Sequence, residues 1–254
     1  LSGYGLLSWV VNPLSSAMGT ALLTAGSITT RGTTGTGVYS WNAGSGAALA
    51  QMSGGTITTT GGSGRGLFAR TNSGLASVIH TGGTVAVTGT DSNGIRALSA
   101  SGDVAVTAAS SVTGGSGAGM AINTITSLAG KLSTINVQST AVLAAASGIA
   151  IQNNLGNSNV TIASGASVTG AITLDTGTDT LTINNSGLSG ITVMNGGDDV
   201  SAADGWVDTL TLNGVNASLV AENLQNWERI NLVGSVTTLT GAALATGAGL
   251  DATS

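Results

Sequence analysis

The sequence predicts an all-β chain wound as a right-handed parallel β-helix with roughly three short strands per coil, and three observations carry that prediction. A glycine followed by small and apolar residues keeps returning, as Gly5-Leu6-Leu7-Ser8, Gly37-Val38-Tyr39-Ser40, Gly66-Leu67-Phe68-Ala69, Gly94-Ile95-Arg96-Ala97, Gly119-Met120-Ala121-Ile122 and Gly148-Ile149-Ala150-Ile151. The steps between these glycines are 32, 29, 28, 25 and 29. A second phrase travels with the first, as Gly26-Ser27-Ile28-Thr29, Gly55-Thr56-Ile57-Thr58 and Gly83-Thr84-Val85-Ala86, at steps of 29 and 28. Finally, one period holds three β-compatible runs, 56–60, 65–70 and 75–80, divided by Gly61-Gly62-Ser63-Gly64 and Thr71-Asn72-Ser73-Gly74.

The physical reason for stacking is cumulative. Each run is too short to form a stable sheet, but coils laid about 4.8 Å apart satisfy each other's backbone groups along the axis. Inward side chains then form ladders of Ile, Val, Leu, Ala and Thr that lengthen with every coil. Variation in period belongs in the loops, because a one-residue slip within a strand would turn its side chains inside out.

Composition agrees. The 254 residues include 41 glycines, one proline and no cysteine, with 3% aromatic and 7% charged residues. Collagen is excluded because glycine does not recur at every third position. The mean hydropathy of +0.38 and the recurring β-branched residues argue against disorder. Without cysteine, disulfides and thiolate metal sites are ruled out. The net charge of -5 and the scatter of Arg31, Arg65, Arg70, Arg96, Lys131 and Arg229 disfavour nucleic acid as a partner. No apolar run reaches the roughly 20 residues of a membrane helix.

Taken in order, the run 1–11 lacks the basic start of a signal peptide and already carries the repeat phrase, so it reads as a first rung of a longer, interior or processed chain. Beyond Asn153 the wording shifts, yet 159–162 and 166–172 continue as strands. Asp179-Thr180-Leu181-Thr182-Ile183-Asn184 then returns, at a step of 29, as Asp208-Thr209-Leu210-Thr211-Leu212-Asn213. The segment 195–206 between the two copies reads as a loop. The most charged phrase, within 222–233, reads as a variant coil: a turn or helical corner feeding a strand at 229–233. The tail, 234–254, ends without a polar cap, and an open coil end is an exposed sheet edge, so further protein is expected beyond it. No domain boundary is visible, and 1–254 reads as one continuous β-helix.

This pattern resembles the passenger domains of autotransporters, the type V secreted proteins of Gram-negative bacteria. The likeness lies in the Gly/Thr/Ser/Asn coils, in the phrase at 208–213, and in Leu224-Gln225-Asn226-Trp227-Glu228-Arg229-Ile230, which is similar to a phrase met near the C-terminal part of such passengers. The resemblance implies export through the outer membrane and display at the cell surface or release from it. It makes an adhesin the expected class, acting in self-association, bacterial aggregation or host attachment. Partners would be copies of the chain on neighbouring cells, or a host surface protein or glycan. The alternative is a structural stalk that presents a separate functional domain. The translocator barrel of the family lies outside this sequence.

Residue chemistry points away from an enzyme. His80 is the only histidine, no Gly-x-Ser-x-Gly elbow sits in an α/β context, and His80 reads as structural. No phosphate loop motif accompanies the glycines, and no cofactor is expected. Asp198, Asp199 and Asp204 are the one compact acidic set, read either as a calcium site or as a solvated turn. Trp9 and the pair Tyr39 and Trp41 are candidates for a sugar platform, although covering the N-terminal end of the core is the favoured reading. Arg65, Arg70 and Arg96 are the remaining binding candidates. The alternating Thr56, Thr58 and Thr60 suggest a hydroxyl array, but Ala86 interrupts it in the next period, so an ice-binding lattice is not expected.

Overall fold

A computed structural model describes residues 3–185, 188–198, 205, 207–241 and 250–253. The chain is a parallel β-helix. Each of the first coils has three strands: β1 (Tyr4–Val10), β2 (Gly19–Leu23) and β3 (Ser27–Thr30), then β4 (Thr36–Asn42), β5 (Ala48–Met52) and β6 (Thr56–Thr59). The third coil holds β7 (Arg65–Thr71), β8 (Ala76–His80) and β9 (Thr84–Val87), and the fourth β10 (Asn93–Ser99), β11 (Val104–Ala108) and β12 (Ser111–Gly114). β13 (Ile122–Thr126) and β14 (Leu132–Val137) follow. In β15 (Val142–Asn154) and β17 (Ser167–Thr173), on either side of β16 (Asn157–Ile162), the third face runs into the first without a loop.

The remaining strands are β18 (Asp179–Asn184), β19 (Ile191–Asn195), β20 (Thr209–Asn213), β21 (Asn216–Val220), β22 (Leu224–Gln225), β23 (Arg229–Val233), β24 (Val236–Thr240) and β25 (Leu250–Thr253). A 3-10 turn at Ala221–Asn223 precedes β22, so the variant phrase is a helical corner feeding a strand, as its sequence suggests. The second face is a ten-stranded parallel sheet that runs from β2 to β25. Its register steps by 28 or 29 as far as Ser133, then by 25 to Ser158 and 21 to Asp179. Coils therefore shorten by losing corner residues while the strands keep their inward parity.

That parity builds three ladders. On the first face Leu6, Val38, Leu67, Ile95, Ile122, Ile151, Ile172, Met194 and Leu224 stack in turn. On the second, Ala21, Ala50, Val78, Val106, Ile135, Val160, Leu181, Leu210 and Ile230 do the same. Ile28, Ile57, Val85, Val112, Leu143 and Val168 line the third. Together they form one continuous core.

The two repeated phrases are halves of one contact. A Cβ on Gly37 would collide with Ile57, on Gly66 with Val85, and on Gly94 with Val112. The glycine of the first phrase is thus the bare wall against which the branched side chain of the third face packs. Gly26, Gly55 and Gly83 of the second phrase have φ of 85°, 88° and 87°, the left-handed region that other residues avoid. At two later positions the pairing departs from the phrase alignment. Ile95 pairs with Ile122, and Ile122 with Ile151, so Ala121 and Ala150, not Gly119 and Gly148, occupy the place of Gly94. Gly119 lies in the corner before β13, and Gly148 sits with φ of 85° where β15 turns between faces.

Polar side chains line the inner corners in register. Asn42, Thr71, Ser99 and Thr126 stack coil on coil, and each donates to a corner carbonyl, Thr126 at 2.6 Å from Leu155 O. Near the C-terminal end Trp227 is fully buried and donates its indole N–H to Met194 O at 2.9 Å.

Candidate functional site

The outer surface of the first face carries the chain's most distinctive chemistry. Along β4 and β7, Val38 and Leu67 point into the core, so Tyr39 and Phe68 point out; Trp41 and Arg70 share their side. The register sets Tyr39 beside Phe68, Phe68 beside Arg96, Trp9 beside Trp41, and Trp41 beside Arg70. The tyrosine and phenylalanine rings stack at 4.8 Å with planes 2° apart, and the two indoles stack at 5.0 Å. Tyr4 extends the first column at 5.4 Å from Tyr39.

Three guanidinium groups complete the cluster. Arg65 lies 4.9 Å and Arg96 5.7 Å from the Phe68 ring centre, while Arg70 lies 5.4 Å from that of Trp41. These are cation–π distances. The pKa of the Tyr39 hydroxyl is raised chiefly by burial, and the nearby Arg70 works against that rise. Burial, and after it the neighbouring Arg65 and Arg70 charges, pushes the Arg96 pKa down to about 10, so it stays charged at neutral pH. Arg65 is lowered as well, again chiefly by burial. The Nε atoms of Arg65 and Arg96 are buried without a hydrogen-bond partner. A surface pocket of about 290 Å³ opens among Tyr4, Thr34, Thr36, Tyr39, Phe68 and the three arginines.

The structure thus brings together all five sequence candidates, Tyr39, Trp41, Arg65, Arg70 and Arg96, and adds Phe68, Tyr4 and Thr34. Tyr39 and Trp41 do not cover the end of the core; both rings lie on the outer flank of the sheet. Nor are Tyr39 and Phe68 open platforms, because each ring face is taken up by a neighbouring coil. The arginines, scattered in the sequence, are gathered by the coil period. The intervals from Tyr39 to Phe68, Trp41 to Arg70 and Phe68 to Arg96 are 29, 29 and 28, the period of the repeat itself. That signal was present in the sequence.

A larger hollow of about 380 Å³ at another corner is lined by Gly, Ala, Thr, Leu155 and Asn157, with no charged side chain. His80 is fully buried in an inward column between Met52 and Ala108, where burial lowers its pKa. The backbone at Gly82 and Gly83 approaches its ring, a weaker and opposing influence, without full hydrogen-bond geometry. The hydroxyl array of the third face, with Thr29, Thr58 and Thr113 outward, is broken at Ala86.

Among the acidic residues, Asp199 and Asp204 lie outside the described residues, and no group of three or more described His, Asp or Glu side chains has a metal-holding arrangement. Sequence reasoning missed a different feature, a buried carboxylate ladder. At the inner start of the second face, Ser158 N–H donates to Asp179 Oδ1 at 2.6 Å, Asp179 N–H to Asp208 Oδ1 at 2.7 Å, and Asp208 N–H to Glu228. The repeated aspartate that opens the 179 and 208 phrases was its signal.

Comparison with protein-family models, curated proteins and solved structures returned no match. Fold and site together define a parallel β-helix, the architecture typical of autotransporter passengers, with an arginine and aromatic pocket on the outer flank of its N-terminal coils.

Proposed function

We propose that this chain is an adhesive segment of a surface-displayed protein of the autotransporter passenger type, and that the outer flank of its first face makes the contact. The observation that supports this reading is the concentration of side-chain chemistry. Three of the six basic residues, and Tyr4, Trp9, Tyr39, Trp41 and Phe68 of the seven aromatic residues, share one outward strip of the first three or four coils. Elsewhere among the described residues the exposed large hydrophobic side chains are scattered aliphatic ones, such as Leu14, Leu132 and Val236. A parallel stack repeats such contacts at fixed spacing, so weak individual contacts between two cells add up through avidity.

The test is to display the chain on otherwise non-adherent cells and to measure cell aggregation and attachment to a host-cell layer. The comparison is a Trp9→Ala/Trp41→Ala variant whose fold is checked by circular dichroism. Adhesion that falls with the paired substitution supports the proposal. Cells that neither aggregate nor attach more than cells lacking the protein would overturn it and leave the stalk role.

A further inference from the structure

We propose that Arg65, Arg70 and Arg96 form a binding site for an acidic saccharide, holding the carboxylate or sulfate of a single sugar-sized unit. The proposal rests on the adhesive reading above and names the chemistry of its ligand.

The geometry is that of a cation site prepared in advance. Among the described residues, none of the three guanidiniums forms an ion pair with a carboxylate, although the chain as a whole is acidic at -5. Two of their Nε donors are buried and unpartnered. Like charges held together in a partly desolvated place are costly unless a counter-charge arrives. The aromatic rings explain how the cluster stands without one. Phe68 and Trp41 support the guanidiniums by cation–π contact, and that contact leaves the N–H edges of an arginine available to an oxyanion.

Shape and charge then select the ligand. The pocket, about 290 Å³, lies at the small end of ligand sites and admits one sugar unit. Thr34, Thr36 and Tyr4 bring further hydroxyl-bearing side chains to its wall. A nucleic acid would need a longer positive track, which the remaining surface does not supply. A sugar unit that carries one carboxylate or sulfate matches the cluster, whose lining holds no acidic side chain to repel it.

The experiment titrates the full chain with glucuronate, glucose 6-sulfate, glucose and a glutamate-rich peptide, following tryptophan fluorescence and heat. Glucuronate or glucose 6-sulfate should bind at least tenfold more tightly than glucose, and the stronger of the two distinguishes a carboxylate from a sulfate source. Binding should weaken as salt rises. Arg96→Gln and Arg70→Gln should each reduce affinity about tenfold or more, while Arg31→Gln, on an exposed turn, leaves it unchanged. Arg70 is exposed, so its variant keeps the fold even if the Arg96 variant does not. Equal binding of acidic and neutral sugars, indifference to both substitutions, or preference for the peptide overturns the proposal. If acidic sugars fail while displayed cells still adhere through Trp9 and Trp41, the adhesive reading stands and only this inference falls.

Discussion

The carboxylate ladder makes the stability of this β-helix depend on pH in an unusual direction. Asp179 and Asp208 are buried, and the Oδ2 of each lacks a hydrogen-bond partner. Burial, with the nearby Asp198 and Asp175 charges, pushes the Asp179 pKa up to about 7. Burial, with Asp179, Glu228 and Asp198, pushes that of Asp208 up to about 8. Both lie above the unfolded value of 3.8, so the folded chain holds protons that the unfolded chain releases. Stability is therefore fully present below about pH 4 and is lost as pH rises through about 7 to 8. Each pH unit between the folded and unfolded values corresponds to about 1.4 kcal/mol, which sets a ceiling near 4 kcal/mol for Asp179 and near 6 kcal/mol for Asp208. Solvent close to the corner screens these charges, and the two carboxyls titrate together, so their joint effect falls well below the separate ceilings.

The perturbation is Asp208→Asn. The amide keeps an oxygen for the Asp179 N–H, places a donor where Oδ2 had no partner, and cannot ionise. Urea titration between pH 5 and pH 8, with amide exchange read at residues 158, 179 and 208, measures the effect. The natural chain should lose about 2 to 4 kcal/mol over this range, and the variant about half as much, so that it is the more stable of the two at pH 8. A natural chain whose stability is flat or rises toward pH 8 would refute the reasoning, as would a variant equally destabilised at both values.

Other outcomes follow from the packing. Gly66→Ala drives a methyl into Val85 and the Gly94 carbonyl, and should cost about 1 to 3 kcal/mol; adding Val85→Ala does not restore the loss, because the carbonyl remains, and thermal melts check both. Trp227→Ala removes the largest fully buried side chain among the described residues and its bond to Met194 O, and should cost about 3 to 5 kcal/mol, seen first as faster amide exchange in β19 and β23. Thr30 and Thr59 share a buried hydroxyl contact of 2.9 Å, so Thr59→Val should cost about 1 to 2 kcal/mol in urea titration and the Thr30→Val/Thr59→Val pair less.

Much of the fold was legible because a solenoid writes its contacts as a period. The runs predicted at 56–60, 65–70 and 75–80 form strands at Thr56–Thr59, Arg65–Thr71 and Ala76–His80. The 179 and 208 phrases lie directly on each other. The two misplaced glycines, Gly119 and Gly148, fall where the coil changes length, and there spacing alone misleads: a corner can gain or lose residues while the strands beyond it keep their pairing. The sequence pairs Tyr39 with Trp41 but leaves the three arginines apart from the rings, because the shared chemistry arises only when the coil-length steps set Phe68 beside Arg96 and Trp41 beside Arg70.

The sequence by itself determined a stack of parallel coils, since short runs of small β-formers with glycine corners have no other way to bury apolar surface and satisfy their backbones. Only the tertiary structure decided which side chains share a column: that an arginine lies against a ring one coil away, and that three carboxylates follow one another inside the wall. Periodicity gives the step along the axis. Which face a residue takes, and how far from water it lies, depends on the pairing of strands that are a whole coil apart in the chain.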